Sequence, residues 1–421
     1  MSETERNFFA TYAEFEADLM KRGLFHMDLS HDRINAVLEE AELVRPEYPV
    51  VQVVGTNGKG STSSFLSAFG QATGLTVGLF TSPHFVTPRE RILINGQMID
   101  EDDWCDVAND VMECGGSELT YFEFLTVMAV FLFSDYDVDL AVFEAGLGGT
   151  HDATSAVGRD LVVFTPIGLD HVDVLGDTIG DITRDKAGAM RNGVPAITNV
   201  QSAEVMSILK EQAGKVGAVL HTAEGSVTLP ETNRFGLAGK YQQDNALLAL
   251  AAFRLLVEAN GWTPSDIMDW DDVKEIGVAD AWIAGRFQHV AATDELPELY
   301  LDGAHNEPAF NVLSDALKEK KIKPAAVIFG CMADKDVQHI IGYLQNLTDG
   351  SVFLPKFTDN KRAKPAEELA KLVGGSAVVC ESMQDALTKS KEVAGDKPVL
   401  LCGSLYLLAE FFTLHPEYLQ R

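Results

Sequence analysis

Pro49-Val50-Val51-Gln52-Val53-Val54-Gly55-Thr56-Asn57-Gly58-Lys59-Gly60-Ser61 runs from an apolar stretch into a glycine-rich turn, and a helical pattern follows it. A strand, a turn and a helix start in that order make a phosphate cradle. Glycines let backbone N–H groups approach an anion closely, and the helix N-terminus adds partial positive charge. Lys59 can reach terminal phosphates, and the Ser61 hydroxyl suits a magnesium ion. Gly55, Thr56, Asn57, Gly58, Lys59, Gly60, Ser61 and Thr62 are therefore the candidate binding loop for a nucleoside triphosphate, with ATP the expected co-substrate and Mg²⁺ its ion.

The spacing departs from the common form G-x-x-x-x-G-K-[ST]. Only Thr56 and Asn57 separate the first two glycines, and Gly60 stands between the lysine and the serine. An ordinary glycine-rich turn is the competing reading, and the flanking strand and helix pattern disfavours it.

Outward from this stretch, apolar β-rich runs recur at Val77 to Phe80, Leu140 to Glu144, Leu161 to Pro166 and Pro195 to Asn199, with helix-like segments between most of them. The alternation predicts an α/β fold, a P-loop-type ATPase domain with a mostly parallel sheet. A second series, at Leu299 to Leu301, Ala326 to Phe329, Val352 to Leu354, Ala377 to Val379 and Val399 to Cys402, predicts a smaller Rossmann-like C-terminal domain. Val290 to Pro297 has linker character, so the expected domains are 1–292 and 293–421.

Composition narrows the partners. The formal net charge of −30 argues against a nucleic-acid backbone or an anionic membrane. Five scattered cysteines without a C-x-x-C pair indicate neither a disulfide framework nor a zinc knuckle, and they fit a reducing compartment. The first residues lack a basic region followed by an apolar core, and the longest apolar stretch, Leu125 to Phe133, is too short to span a bilayer. These features predict a cytoplasmic protein that works on small molecules.

Ligands of parallel sheets collect at the carboxyl ends of strands. Two unusual polar residues follow strand runs there: Glu144, opening Glu144-Ala145-Gly146-Leu147-Gly148-Gly149, and His171, closing Gly168-Leu169-Asp170-His171. With Ser61 they could hold magnesium on ATP, although imidazole is an uncommon ligand for that ion. The competing reading of Glu144 is a cap on the glycine loop, and that of His171 a satisfied structural histidine; neither is the favoured one. Lys186, on a predicted helix, reads on pattern alone as a solvated lysine.

Together with Ser82-Pro83-His84, Glu90-Arg91-Ile92, Asp152-Ala153-Thr154, Lys186-Ala187-Gly188, Gly285-Arg286, Asp302-Gly303-Ala304-His305-Asn306 and Asp334-Lys335-Asp336, these motifs resemble the folylpolyglutamate synthase/dihydrofolate synthase family, relatives of the Mur ligases. The resemblance spans about residues 20 to 410, in order. It implies that the loop through Ser61 binds the ATP phosphates, and that Ser61, Glu144 and His171 ligate magnesium. It also implies that Lys186 is carbamylated by CO₂ and joins the metal site. Asn245 would lie near adenine, and Arg286 and Asp302 would contact the nucleotide. Ser82, Pro83 and His84 would form the folate-side loop, with His305 and Ser404 on the glutamate side. The implied reaction is ATP-dependent ligation of L-glutamate to a reduced folate through an acyl phosphate, with both domains closing over one cleft and a monomer as the default.

Two departures bear on the substrate. Thr150-His151 and Ser155 stand where many members have Arg-Leu and Asn, and Ala284 precedes Gly285-Arg286 where proline is common. The missing arginine favours a polyglutamylating enzyme over a bifunctional one that also uses dihydropteroate. A Mur-type ligase of cell-wall precursors is the next enzyme reading, and a nucleotide-binding regulator without catalysis is the non-enzyme one.

Overall fold

The computed structural model describes residues 8–23, 30–232, 234–262, 269–333, 337–358, 360 and 362–420. Its first sheet contains β1 (Val50–Val54), β2 (Val77–Phe80), β3 (Ile92–Ile94), β4 (Gln97–Met98), β5 (Leu140–Glu144), β6 (Leu161–Phe164), β7 (Ala196–Thr198) and β8 (Leu220–Thr222). The strand order is β4-β3-β2-β5-β1-β6-β7-β8. From β2 to β8 neighbouring strands are parallel, and β3 and β4 add an antiparallel edge.

Every residue of β1 and β5 is buried, as expected where helices cover both faces. The covering helices can be assigned from β2. Val77 packs at Gly70 of the helix Lys59–Ala72, while its neighbour Gly78 faces the Phe133 ring of the helix Tyr121–Asp135. Successive strand residues point to opposite faces, so these two helices lie on opposite sides of the sheet. Behind the Lys59–Ala72 helix, Phe65, Phe69, Phe253 and Trp270 form a run of stacked rings. There the helix Trp270–Asp280 approaches closely: a methyl group at Gly277 would lie 2.1 Å from Phe69 Cδ1.

The second sheet contains β9 (Gln288–Val290), β10 (Leu299–Asp302), β11 (Ala326–Phe329), β12 (Val352–Pro355), β13 (Ala377–Cys380) and β14 (Val399–Cys402), in the order β13-β12-β11-β14-β10-β9. All are parallel except β9, which runs antiparallel to β10. Two largely parallel sheets are the architecture the apolar runs predict. Elements without such runs were not foreseen, namely the short β3, β4, β8 and β9.

The compact units are 1–236 with 241–281, and 237–240 with 282–421. The division therefore falls ahead of the expected boundary near 292, because β9 pairs with β10 and draws the preceding residues into the second unit. Leu125 to Phe133 lies inside the Tyr121–Asp135 helix, and among the described residues no helix is long and apolar enough to cross a membrane. The motif Asp334-Lys335-Asp336 lies outside the described residues.

Candidate active site

β1 is flanked by β5 and β6, so the chain turns to either side of β1 and leaves a crevice at its carboxyl end. Gly55 to Ser61 leaves β1 at that point. Thr56 and Asn57 donate their N–H groups to the Pro166 carbonyl beyond β6, and Thr56 Oγ1 exchanges hydrogen bonds with the backbone of Gly168. Gly58 caps the Lys59–Ala72 helix with φ of 84°, and a side chain there would meet Asn245 Oδ1 at 2.5 Å. Glycine is required on both counts.

Asn245, from the helix Tyr241–Asn260, donates to Gln242 Oε1 at 3.0 Å, and Gln242 Nε2 donates to Ser61 Oγ at 3.1 Å. One polar chain thus ties the first helical turn of the loop to the residue expected near adenine. Gln242 lies in the stretch around Asn245 and was given no role from sequence. Thr62, in the same turn, is fully buried and its hydroxyl has no partner among the described residues.

Lys59 Nζ donates to the carbonyls of Gly55 and Thr56 at 3.2 and 3.3 Å. Lys186 is 3% exposed and donates to the Gly55 carbonyl at 2.8 Å, so the solvated-lysine reading is wrong. It comes from the helix Ile179–Ala187, whose end the glycine loop after β5 grips: Gly149 N donates to Asp185 Oδ2, and Thr150 donates its N–H and hydroxyl to the Asp185 carbonyl. Burial, and then the neighbouring Lys59 charge, pushes the Lys186 amine down to about 8.

Glu144 ends β5, is 5% exposed, and accepts the Ser82 N–H on Oε2 at 3.2 Å. The segment after β2 is thereby joined to the carboxylate beside the phosphate loop. Glu90 holds that segment in place by accepting the N–H groups of Phe85, Val86 and Thr87. Pro83 is exposed, and Arg91 Nε donates to His84 Nδ1 at 2.8 Å. Burial and the Arg91 charge push the His84 imidazole down to about 3, so it is neutral.

Ser61, in the first turn of the helix that follows β1, and Glu144, at the end of neighbouring β5, offer hard oxygen donors, which is the chemistry magnesium takes. The residues fit the ion on that ground. His171 differs. It is exposed, adopts φ of 48°, and has its ring 3.6 Å from the Asp170 carboxylate. It makes no hydrogen bond or ion pair with Ser61, Glu144 or Lys186. Among the described residues no group of three or more His, Cys, Asp and Glu side chains could hold a metal.

In the second unit, Asp302 ends β10 and accepts the N–H groups of Ala304 and Phe287. Burial raises its carboxyl above the usual range, with Arg286 pulling the other way. Arg286 is exposed. His305 Nδ1 donates to the Gly303 carbonyl at 2.8 Å. Ser404, after β14, caps the helix Leu405–Leu414 through Tyr406 N, so its hydroxyl already has a structural task.

Residues 53–253 match the Mur ligase middle domain, and 285–405 match the Mur ligase glutamate ligase domain. The chain is 31% identical over 405 residues to the dihydrofolate synthase/folylpolyglutamate synthase of Bacillus subtilis, covering 88% of this chain and 91% of that one. It superposes on Escherichia coli FolC in complex with DHPP and ADP with a TM-score of 0.78 at 29% identity, over 97% and 98% of the two chains. A bifunctional folylpolyglutamate synthase/dihydrofolate synthase with Mn, AMPPNP and L-glutamate bound gives 0.75 at 29% identity, over 96% and 98%. The likeness covers both units, which displaces the regulator and the cell-wall ligase readings. With both Mur ligase domains matched and a relative 31% identical over 91% of its length, the chain belongs to the folylpolyglutamate synthase/dihydrofolate synthase family and is an ATP-dependent ligase.

Proposed function

We propose that this ligase adds L-glutamate to a reduced folate, extending tetrahydrofolate by polyglutamylation, and that the residues named above carry it. The observation that bears most weight is the hydrogen bond from Ser82 N to Glu144, since it sets the folate-side loop against the carboxylate beside the phosphate loop. The relatives that hold ADP with DHPP, or AMPPNP with Mn and L-glutamate, support the same set of substrates.

A carboxylate does not condense with an amine at neutral pH, because oxide is a poor leaving group. In the proposed reaction a carboxylate oxygen of the folate attacks the γ-phosphorus, an O–P bond forms, and the bond to ADP breaks. The glutamate amine then attacks the acyl carbon, loses a proton, and phosphate leaves. Magnesium, held by Ser61 and Glu144 with His171 and a carbamylated Lys186 as further ligands, would neutralise phosphate charge when bound. Lys59 and the N–H groups at the start of its helix bind the phosphates, and the gain is positioning and charge stabilisation. Lys186 is suited to carbamylation: its buried amine spends more time neutral than an ordinary lysine, and the neutral nitrogen attacks CO₂, forms a C–N bond and releases a proton. Asn245, Arg286 and Asp302 are the proposed nucleotide residues, and His305 and Ser404 the glutamate-side ones. The same reading takes the enzyme as a cytoplasmic monomer.

A second reading, use of dihydropteroate as well, draws support from the dual name of the Bacillus subtilis relative. Purified protein with MgATP and L-glutamate, offered tetrahydrofolate or dihydropteroate in parallel with products resolved by mass, tests both. Absence of any glutamylated tetrahydrofolate would overturn the proposal.

A further inference from the structure

Arg91 closes the short 3-10 turn Pro88–Arg91 and is 8% exposed. Its Nε is taken by His84 Nδ1, and its guanidinium carbon stands 5.4 Å from the centre of the Tyr121 ring. Among the described residues its two terminal nitrogens donate to no side chain or carbonyl, and no carboxylate forms an ion pair with it. The Glu90 oxygens are taken by the N–H groups of Phe85, Val86 and Thr87. Tyr121 is 1% exposed, and its buried hydroxyl has no partner among the described residues.

Buried polar atoms are nearly always paired, and Glu90 and Glu144, whose charges act on Arg91, make no ion pair with it. Here the Tyr121 hydroxyl is buried without a partner among the described residues, and the two guanidinium N–H₂ groups beside that ring donate to none of them. His84 adds to the set: because its Nδ1 accepts from Arg91, its proton lies on Nε2, and the ring is a donor from that side. Glu144 is close enough to act on the Arg91 charge, which places the group beside the strand end where the phosphate loop lies.

We propose that Arg91, with Tyr121 Oη and the Nε2–H of His84, forms the seat for the folate carboxylate that receives the phosphoryl group. This rests on the folate reading above. A planar guanidinium presents paired N–H groups that match a carboxylate, which lysine cannot do. Arginine here also offsets the repulsion between two anions, the carboxylate and the γ-phosphate, that must come within bonding distance. A structural role, in which Arg91 only braces His84, predicts equal loss for ligands with and without that carboxylate.

Equilibrium binding of tetrahydrofolate and of its γ-carboxamide separates the two roles. The wild-type protein should bind the acid about 10- to 100-fold more tightly than the amide, as a charge-assisted pair implies. Arg91→Met should weaken the acid alone and bring the ratio near one, while Arg91→Lys and Tyr121→Phe should give intermediate ratios. The ratio does not depend on the fraction of folded protein, and the two milder variants decide the matter if Arg91→Met fails to fold. An unchanged ratio in the variants would overturn the seat and leave the folate reading standing. No binding of tetrahydrofolate by the wild-type protein would overturn the folate reading first, and the seat with it.

Discussion

Lys59 and Lys186 donate to one and the same acceptor, the carbonyl oxygen of Gly55, at 3.2 and 2.8 Å. Burial lowers the Lys186 amine first, and the repulsion between two ammonium groups on one oxygen adds to it. With its amine near 8, Lys186 is about one-tenth neutral at pH 7, far more than an ordinary lysine. The phosphate loop thus brings the lysine proposed to meet phosphate next to the lysine proposed to take up CO₂.

Lys59→Ala should lower kcat by at least about 10²- to 10³-fold while leaving the fold intact, because the side chain is half-exposed and its partners are loop carbonyls. ADP release under saturating ATP measures the loss, and far-UV circular dichroism checks the fold. Turnover near wild type would remove Lys59 from the phosphate site.

Activity should depend on dissolved CO₂ through Lys186. Protein stripped of CO₂ should regain activity on adding bicarbonate, and more completely at pH 8.5 than at 6.5, since the neutral amine is the reactive form. Lys186→Ala should lose most activity and regain part of it with a short carboxylic acid. Lys186→Arg should stay inactive. A fully active Lys186→Arg enzyme would refute carbamylation.

The same amine gives a stability signature. Folding lowers it from 10.5 to about 8, so between those values the unfolded chain binds more protons than the folded one. Unfolding free energy of the unmodified protein should therefore rise as pH climbs through that window, and Lys186→Met should flatten the rise. Denaturant titrations in CO₂-free buffer would read it.

Reduced folate should be a far better acceptor than dihydropteroate. Thr150 donates to the Asp185 carbonyl at the end of the Ile179–Ala187 helix instead of presenting a cation, and His151 is exposed with its ring 6.3 Å from that of His31. Comparable kcat/KM for the two acceptors would show that use of dihydropteroate needs no arginine at position 150.

Much of this was legible in the sequence, for identifiable reasons. Fully buried parallel strands read as unbroken apolar runs, so β1, β2, β5, β11 and β14 could be located from hydrophobicity alone. The edge strands β4, β8 and β9, and β3 next to β4, are two or three residues long and carry no such run. Glu144 and Ser61 announced themselves by following strands. Lys186 did not, because burial of a helical lysine depends on which loop packs over it, here Gly148 to Thr150 folding onto Asp185. Gln52 is a further case: an amide in the middle of β1 looks like a break in an apolar strand, yet it donates to Thr154 and Ser155 and accepts from buried Arg159.

The close approach at Gly277 has a consequence for tolerance to change at a distance. Phe69, which it touches, lies ten residues along the same helix from Lys59, about 15 Å away at 1.5 Å per residue. A helix is stiff along its axis, so a methyl group added at residue 277 acts as a wedge at the far end of a rod whose tip is the phosphate loop. Relief by sliding that rod would move Gly58 against Asn245. Drift at this outwardly inert position should therefore surface as weakened nucleotide affinity before it surfaces as a lower melting temperature.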